Sequence, residues 1–355
     1  MGNYKLVFCF RFILLTLLLQ AMDIDQLIAQ KENPSYIFRA YEDDDFLNDL
    51  GRGTDKAYTS GLQFTLFYNK NHPSHFFLDH IIPKAGDSSV NTYGVGLMQI
   101  MYTPDDLTAI YYIPNDYSYA GADVVKYSLY SFNPKKSFAF QTEIVAGVMG
   151  PAALAGQAQH WLHKAIKDTA VPAGWGNQYK NDGLFNVNFT VENQFYTNHK
   201  YLEIIGDAQI CAGTMFDEIE MGPTIRIGKM EPYFNGYMNH FSTSYSSTEK
   251  GWNKVQLYFI IKPAVQYVLY SSMLQGGLFS QPPTVTKFIY VDNVKEQIYF
   301  EKPKQYIENY VGNIAYGAVL AYRHWSITFT QTYSTCVLKG IYPYIYGNIT
   351  IYYGW

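Results

Sequence analysis

The chain has 355 residues, 17% of them aromatic with 34 tyrosines, and only 16% charged, a length that suits one large domain or two ordinary ones. A formal net charge of −4 with no basic stripe argues against a nucleic-acid partner. Rich in tyrosine and poor in charge, the composition is unlike a cytosolic enzyme and suits a sheet that meets lipid between two aromatic girdles.

The opening segment, MGNYKLVFCFRFILLTLLLQA, carries Lys5 and Arg11 with an apolar run that is broken at Asp23. It reads as a secretory signal peptide within residues 1–30, cleaved between 21 and 30, because its apolar part is too short to span a bilayer as a helix. No later run of ~18 apolar residues occurs, so no transmembrane helix is expected. Cys9 leaves with the signal, and Cys211 and Cys336 fall in separate strand-like segments, which argues against a disulfide or metal framework.

From residue 31 onward the chain alternates. In FAFQTEIVAGV, Phe138, Phe140, Ile144, Ala146 and Val148 oppose Gln141 and Glu143. In KYLEIIGDAQICAG, Leu202, Ile204, Ala208 and Ile210 oppose Glu203, Asp207 and Gln209, and Ile314, Tyr316, Ala318, Leu320 and Tyr322 share a face further on. Period-two patterning of this kind describes strands with two different environments. Roughly twelve such segments occur, near 36–46, 57–69, 92–104, 123–133, 137–149, 184–196, 200–214, 218–229, 254–271, 306–323, 325–336 and 343–355. The chain stops on NITIYYGW, resembling the aromatic terminal strand of outer-membrane barrels. The expected fold is therefore all-β, a twelve-stranded antiparallel transmembrane β-barrel over 31–355, preferred over a soluble sandwich or lipocalin-like barrel.

With both barrel ends in the periplasm, the connections at 47–56, 104–122, 150–183 and 272–305 face the exterior. NPKK and YTNHK make short periplasmic turns, whereas 230–253 makes an unusually long one. The third external connection contains GPAALAGQAQHWLHKAIKD, read as a short helix over about 151–167. At ~100° per residue, Leu154, Ala158, Trp161, Leu162 and Ala165 form an apolar stripe expected to pack inward. Gln159 and His163, four apart, share the neighbouring face at the contact edge. His163 taken alone is as consistent with a surface histidine.

Three polar stretches meet this helix at the outer rim: YEDDDF (41–46), TDKAYTSGL (54–62) and QIMYTPDD (99–106). In an extended strand Asp43 and Asp45 point one way and Glu42 and Asp44 the other. Clustered carboxylates suit Ca²⁺ better than a transition metal, although a solvated acidic patch has the same composition.

Taken together, EDDDF, TDKAYTSGL, YTP, GVMGPAALAGQAQHWLHK and GWGNQ (174–178) resemble the outer-membrane lipid A 3′-O-deacylase family in order and spacing. The resemblance implies a barrel that hydrolyses the 3′-acyl ester of lipid A. It puts the family's catalytic histidine on His163, its glutamine on Gln159, its threonine on Thr59, and an Asn-Asp pair expected to hold Ca²⁺ on Asp43 and Asp44. Its implied partners are lipid A or lipopolysaccharide and outer-membrane lipid, with the protein a monomer. Two departures stand out: Asp43 replaces an asparagine, and a lysine after the YTP stretch has no counterpart. The mechanism expected is hydrolysis by a histidine-activated water with Ca²⁺ as Lewis acid. An outer-membrane phospholipase and a non-enzymatic porin-like barrel are the alternatives.

Overall fold

The computed structural model describes residues 36–48, 56–69, 77–165, 170–198, 201–235, 255–291 and 294–355. The signal-peptide reading lies outside these residues. Fourteen strands follow in chain order: β1 (Tyr36–Asp44), β2 (Ala57–Asn69), β3 (Val90–Thr103), β4 (Ala120–Asn133), β5 (Phe138–Met149), β6 (Asp182–Thr197), β7 (Leu202–Gly213), β8 (Phe216–Lys229), β9 (Val255–Ser271), β10 (Thr284–Val291), β11 (Val294–Glu301), β12 (Tyr310–Tyr322), β13 (Trp325–Ser334) and β14 (Tyr344–Gly354). Twelve of them close an antiparallel barrel, in the order β1-β14-β13-β12-β9-β8-β7-β6-β5-β4-β3-β2. Closure comes from β1 pairing with β14, Ile37 opposite Gly354 and Asp44 opposite Gly347. Every barrel strand thus has a partner on each side, which a sheet in hydrocarbon requires. No helix among the described residues is long and apolar enough to cross a membrane; the crossing is made by strands.

Alternation fixes which side chains go where. Leu97, Val125, Phe259, Leu269 and Ile327 stand exposed on the outside. Inside, Lys126 pairs with Glu143 at 3.1 Å, Lys262 with Asp207 at 3.2 Å, and Arg226 with Glu203 at 2.6 Å. Apolar-out and polar-in is the reverse of a soluble barrel and the expected arrangement in lipid. Tyr36 stacks on Trp355 and Trp325 packs on Tyr353 at the rim where the barrel starts and ends, while Tyr267 and Tyr310 pair at the other. These form the two aromatic girdles.

The rim opposite the chain ends carries the connections that hold the loop helix and the β10–β11 hairpin, and with both chain ends at the periplasmic rim it is the outer one. Its mouth is filled. Tyr58 packs edge-on against Tyr102 and Tyr346, while Tyr117 stacks on Tyr102 and packs at a tilt against Tyr342. Met149, Met273, Leu338 and Ile341 complete this cluster. Gln305 ties the connections above it, accepting from Ser118 and Tyr179 and donating to the Asp116 carbonyl. The Tyr342 hydroxyl donates to Asp116 at 2.6 Å, and burial together with that carboxylate pushes its phenol well above the usual range. Lys302 lies buried with its ammonium 3.5 Å from the centre of the Tyr179 ring, and burial holds it well below the ordinary lysine range. At the inner end Phe234 enters a cluster with Tyr130, Phe132 and Ile205, and Asp79, from the β2–β3 connection, accepts from the Tyr127 hydroxyl.

Two features differ from the sequence reading. The fourth of the external connections expected from the sequence holds a separate hairpin, β10 with β11, in register Val285 to Phe300. The loop helix is also shorter and broken: a 3-10 turn, Gly150–Ala153, ends at Leu154 with φ 55°, and the α-helix proper is Ala155–Ala165. The left-handed residue redirects the chain between the two pieces. Residues 166 and 167 of the expected helix lie outside the described residues. The strands flanking the long 230–253 connection end as the alternation indicated, at Lys229 and Val255.

Among the described residues, packed side-chain clusters lie across the lumen toward both ends. In planar bilayers the purified protein is expected to show no steady open-channel current; a stable porin-sized conductance would contradict this filling.

Candidate active site

Cross-strand register places residues in rows on the outer wall of the barrel. Ala40, Phe64, Leu97 and Val125 form one row on β1 to β4, all apolar. The next row toward the outer rim is Glu42, Leu62, Gln99 and Asp123, and the one above it Asp44, Ser60, Met101 and Gly121. The lipid-facing side of the wall therefore turns polar and acidic as it nears the rim. Charged groups facing hydrocarbon are costly and are kept where a function needs them. Ser60 donates to Glu42 at 2.8 Å, and Asp44 accepts the Phe46 amide at 2.7 Å as cap of a 3-10 turn, Asp45–Leu47.

The loop helix is footed on this wall. Gln99 donates to the Ala153 carbonyl at 2.8 Å, just ahead of the helix. A Cβ on Gly121 would lie 2.4 Å from the Ala155 Cβ, so only glycine lets the helix approach so closely. The helix buries Ala155, Gln159 and His163, and exposes Trp161 and Leu162. The expected apolar stripe thus faces away from the barrel, and the polar pair faces in.

His163 Nδ1 lies 2.6 Å from the Ala170 carbonyl oxygen. A carbonyl only accepts, so Nδ1 carries the proton, and in the neutral ring the lone pair sits on Nε2. Gln159 Oε1 accepts from Trp175 Nε1 at 2.8 Å, which fixes how its amide is turned. Its Nε2 is buried and has no hydrogen-bond partner among the described residues. Trp175 belongs to the 3-10 turn Trp175–Asn177 and packs on Tyr119 at 4.9 Å. Asn177 in the same turn donates to the Ile110 carbonyl and accepts the Thr286 amide of β10. The GWGNQ stretch is accordingly a clip joining the helix, the β3–β4 connection and the hairpin.

Thr59 sits at a bulge, where register slips between Tyr58 and Ser60 against β3, and its hydroxyl lies 2.7 Å from that of Thr103. Bulges of this kind re-aim side chains beside active sites. Gly61 in the same stretch leaves room for the Tyr58 hydroxyl, which a Cβ there would meet at 1.9 Å.

Asp43 and Asp44 separate. Asp43 points into the lumen, where Tyr41 and Tyr58 donate to Oδ2 at 2.6 and 2.9 Å and Asn348 donates to Oδ1 at 3.0 Å. Asp44 stands on the outer wall in the row above Glu42. Among the described residues no three or more carboxylates, imidazoles or thiolates gather as a ready metal cage. The outer-wall donors nearest the strand end are all oxygens, Glu42, Asp44 and the Ser60 hydroxyl, a hard set of the kind Ca²⁺ accepts. The sequence reading did not select Trp175, Gln99 or Asp123. Gln99 and Asp123 are signalled by polar residues at lipid-facing positions of β3 and β4; Trp175 carries no such mark.

The family model for the outer membrane protein LpxR matches residues 12–355. Among solved structures, LpxR from Salmonella typhimurium is similar, with a TM-score of 0.65 and 14% identity over 90% of this chain and 100% of that one. The β-domain of the Bordetella autotransporter BrkA aligns with a TM-score of 0.41 and 8% identity, over 92% of this chain and 100% of that one. No curated protein matches by sequence.

Replacing Gly121 by valine is expected to lift the helix from the wall. The variant should fold as a heat-modifiable barrel yet expose the 150–181 connection to limited proteolysis; wild-type protection would show that the close approach is dispensable. The barrel, its lipid-facing exterior and the match along nearly all of the chain place the protein in the outer membrane, and it belongs to the LpxR family, the family its motifs resemble.

Proposed function

We propose that this protein is a lipid A 3′-O-deacylase, a carboxylic ester hydrolase acting on lipopolysaccharide at the outer-membrane surface. The observation that carries the reading is the polar patch on the lipid-facing wall of β1 to β4, beside a helix that is footed on β3 and β4 and keeps Gln159 and His163 on its buried side. An ester of a membrane lipid presents its carbonyl at this boundary between acyl chains and headgroups.

The proton arrangement supports His163 as the general base. With Nδ1–H committed to Ala170, Nε2 can take a proton from water, and the carbonyl stabilises the imidazolium that forms. Gln159, oriented by Trp175, keeps an amide donor for the ester oxygen as negative charge develops on it. Thr59, paired with Thr103, offers a hydroxyl to orient the water. Neighbouring strands lie about 4.8 Å apart, so β1 and β4 are separated by roughly 14 Å along a row. A helix of 11 residues is about 16 Å long, which gives one footed on β4 the reach to approach the acidic strand end.

Asp44 and Glu42 on the wall, with the Ser60 hydroxyl, are the residues that would hold a Ca²⁺, since the Asp43 carboxylate expected beside them is turned into the lumen. When bound, such an ion supplies a Lewis acid for the acyl carbonyl. No nucleic-acid partner and no second subunit enter this reading.

Mass spectrometry of lipid A from cells expressing the protein tests the substrate. A species lacking the 3′-acyl group is expected with the wild type; fatty acid released from glycerophospholipid instead would make the protein a phospholipase. His163→Ala should fold and lose roughly 10²- to 10⁴-fold in rate, the usual worth of a general base. Full activity in that variant discards the role. Calcium is tested separately: chelation should abolish turnover and Asp44→Asn should raise the calcium needed, while an unchanged rate in chelator removes the metal from the mechanism.

A further inference from the structure

We propose that the outward face of the loop helix is a lipid-contact surface. Leu154, Trp161 and Leu162 lie among the acyl chains at the edge of the outer leaflet, so the membrane covers the side of the helix that faces away from the barrel.

The first observation is the inversion of the helix. Gln159 and His163 are 2% and 5% exposed, whereas Trp161 and Leu162 are 44% and 45% exposed. A helix packed on a protein surface in water buries its apolar stripe. Here the largest apolar side chains are turned outward and two polar ones inward, the same inside-out rule that governs the strands below. That pattern is favourable when the medium outside is lipid.

The second observation is depth. Gln99, which holds the Ala153 carbonyl at the foot of the helix, lies four residues short of Thr103 at the end of β3. At about 3.3 Å per residue and a tilt of roughly 40°, the foot is about 10 Å below the top of the strand. The helix therefore begins on the side of the wall and not above its mouth.

The third is continuity. Leu97, two residues below Gln99 on the same face, is exposed, as are Val125 on β4 and Val148 on β5. The helix rests on the upper border of this lipid-facing band. Tryptophan is the residue type that settles at such a border, and the exposed Lys164, one turn on from Trp161, can extend its ammonium toward headgroup phosphates.

The proposal shares a location with the deacylase reading but does not need it, and its experiment is built to separate the two. Wild type and Trp161→Phe are reconstituted in vesicles of phosphatidylcholine with plain or brominated acyl chains, and tryptophan emission is recorded, with acrylamide as the aqueous quencher. The bromine-quenched component should be smaller in Trp161→Phe than in wild type. Equal bromine quenching in the two proteins overturns the proposal, whether Trp161 is then reached by acrylamide or shielded from both quenchers by protein. A second arm uses Trp161→Ser with Leu162→Asn. If the protein deacylates, hydrolysis of lipid A in vesicles should fall about tenfold or more while hydrolysis of detergent-dispersed lipid A stays within about twofold. An equal fall in both media overturns the lipid role of these residues. A wild type without hydrolase activity leaves the quenching result to decide alone.

Discussion

Closing a sheet inside a bilayer imposes one constraint from which most of this molecule follows: every outward side chain faces hydrocarbon and every inward one faces a polar, protein-filled lumen. The rows on β1 to β4 make that constraint legible as a boundary. Phe64, Leu97 and Val125 obey it; Glu42, Gln99 and Asp123, one row higher, break it. Gln99 is bonded to the 3-10 turn of the β5–β6 connection, Gly121 lies under the helix that follows, and Glu42 accepts from Ser60. The proposed site lies on the outer wall, where the rule is suspended, and not inside the barrel.

The same constraint explains which parts of the fold were readable from sequence. Alternation is strongest where the two faces of a strand meet different media, and all twelve barrel strands stand where the alternation put them, within a few residues at most ends. The hairpin of β10 and β11 escaped because much of both faces is exposed, so no polarity contrast marks its register. Its one local sign is Asp292-Asn293 between two runs of β-forming residues, a turn signal set inside a segment already read as a loop. The existence of the loop helix was legible, its orientation not. Assigning Leu154, Trp161 and Leu162 to the buried side assumed water outside, and the burial of Gln159 and His163 reverses that assumption.

Parity was more reliable than motif at the acidic strand end. The resemblance treats Asp43 and Asp44 as a pair, but neighbours in a strand point to opposite faces. Asp43 and Asp45 are both buried, Asp45 accepting the Lys56 amide at 2.5 Å, while Asp44 stands on the outer wall. The two carboxylates therefore do different work. Asp44 and Glu42 give the outer wall its charge. Asp43 holds the strand end in place from within, linking β1 to β2 through Tyr58 and to β14 through Asn348, across the seam where the barrel closes.

That arrangement also suits an aspartate at the position where the resemblance leads one to expect an asparagine. An ionised carboxylate only accepts hydrogen bonds, whereas an asparagine must place two amide donors as well as its oxygen. All three groups aimed at Asp43 donate: the hydroxyls of Tyr41 and Tyr58 and the amide of Asn348. An asparagine amide group turned toward those tyrosines would meet donors with a donor unless both hydroxyls rotated away, whereas the carboxylate satisfies the set as it stands. Thr350 completes the relay by donating to Asn348 Oδ1 at 2.7 Å, which turns the Asn348 amide nitrogen toward Asp43. The departure from the family pattern is thus matched by its surroundings, and the extra negative charge is spent inside the lumen on fixing the strand from whose outer face Asp44 projects.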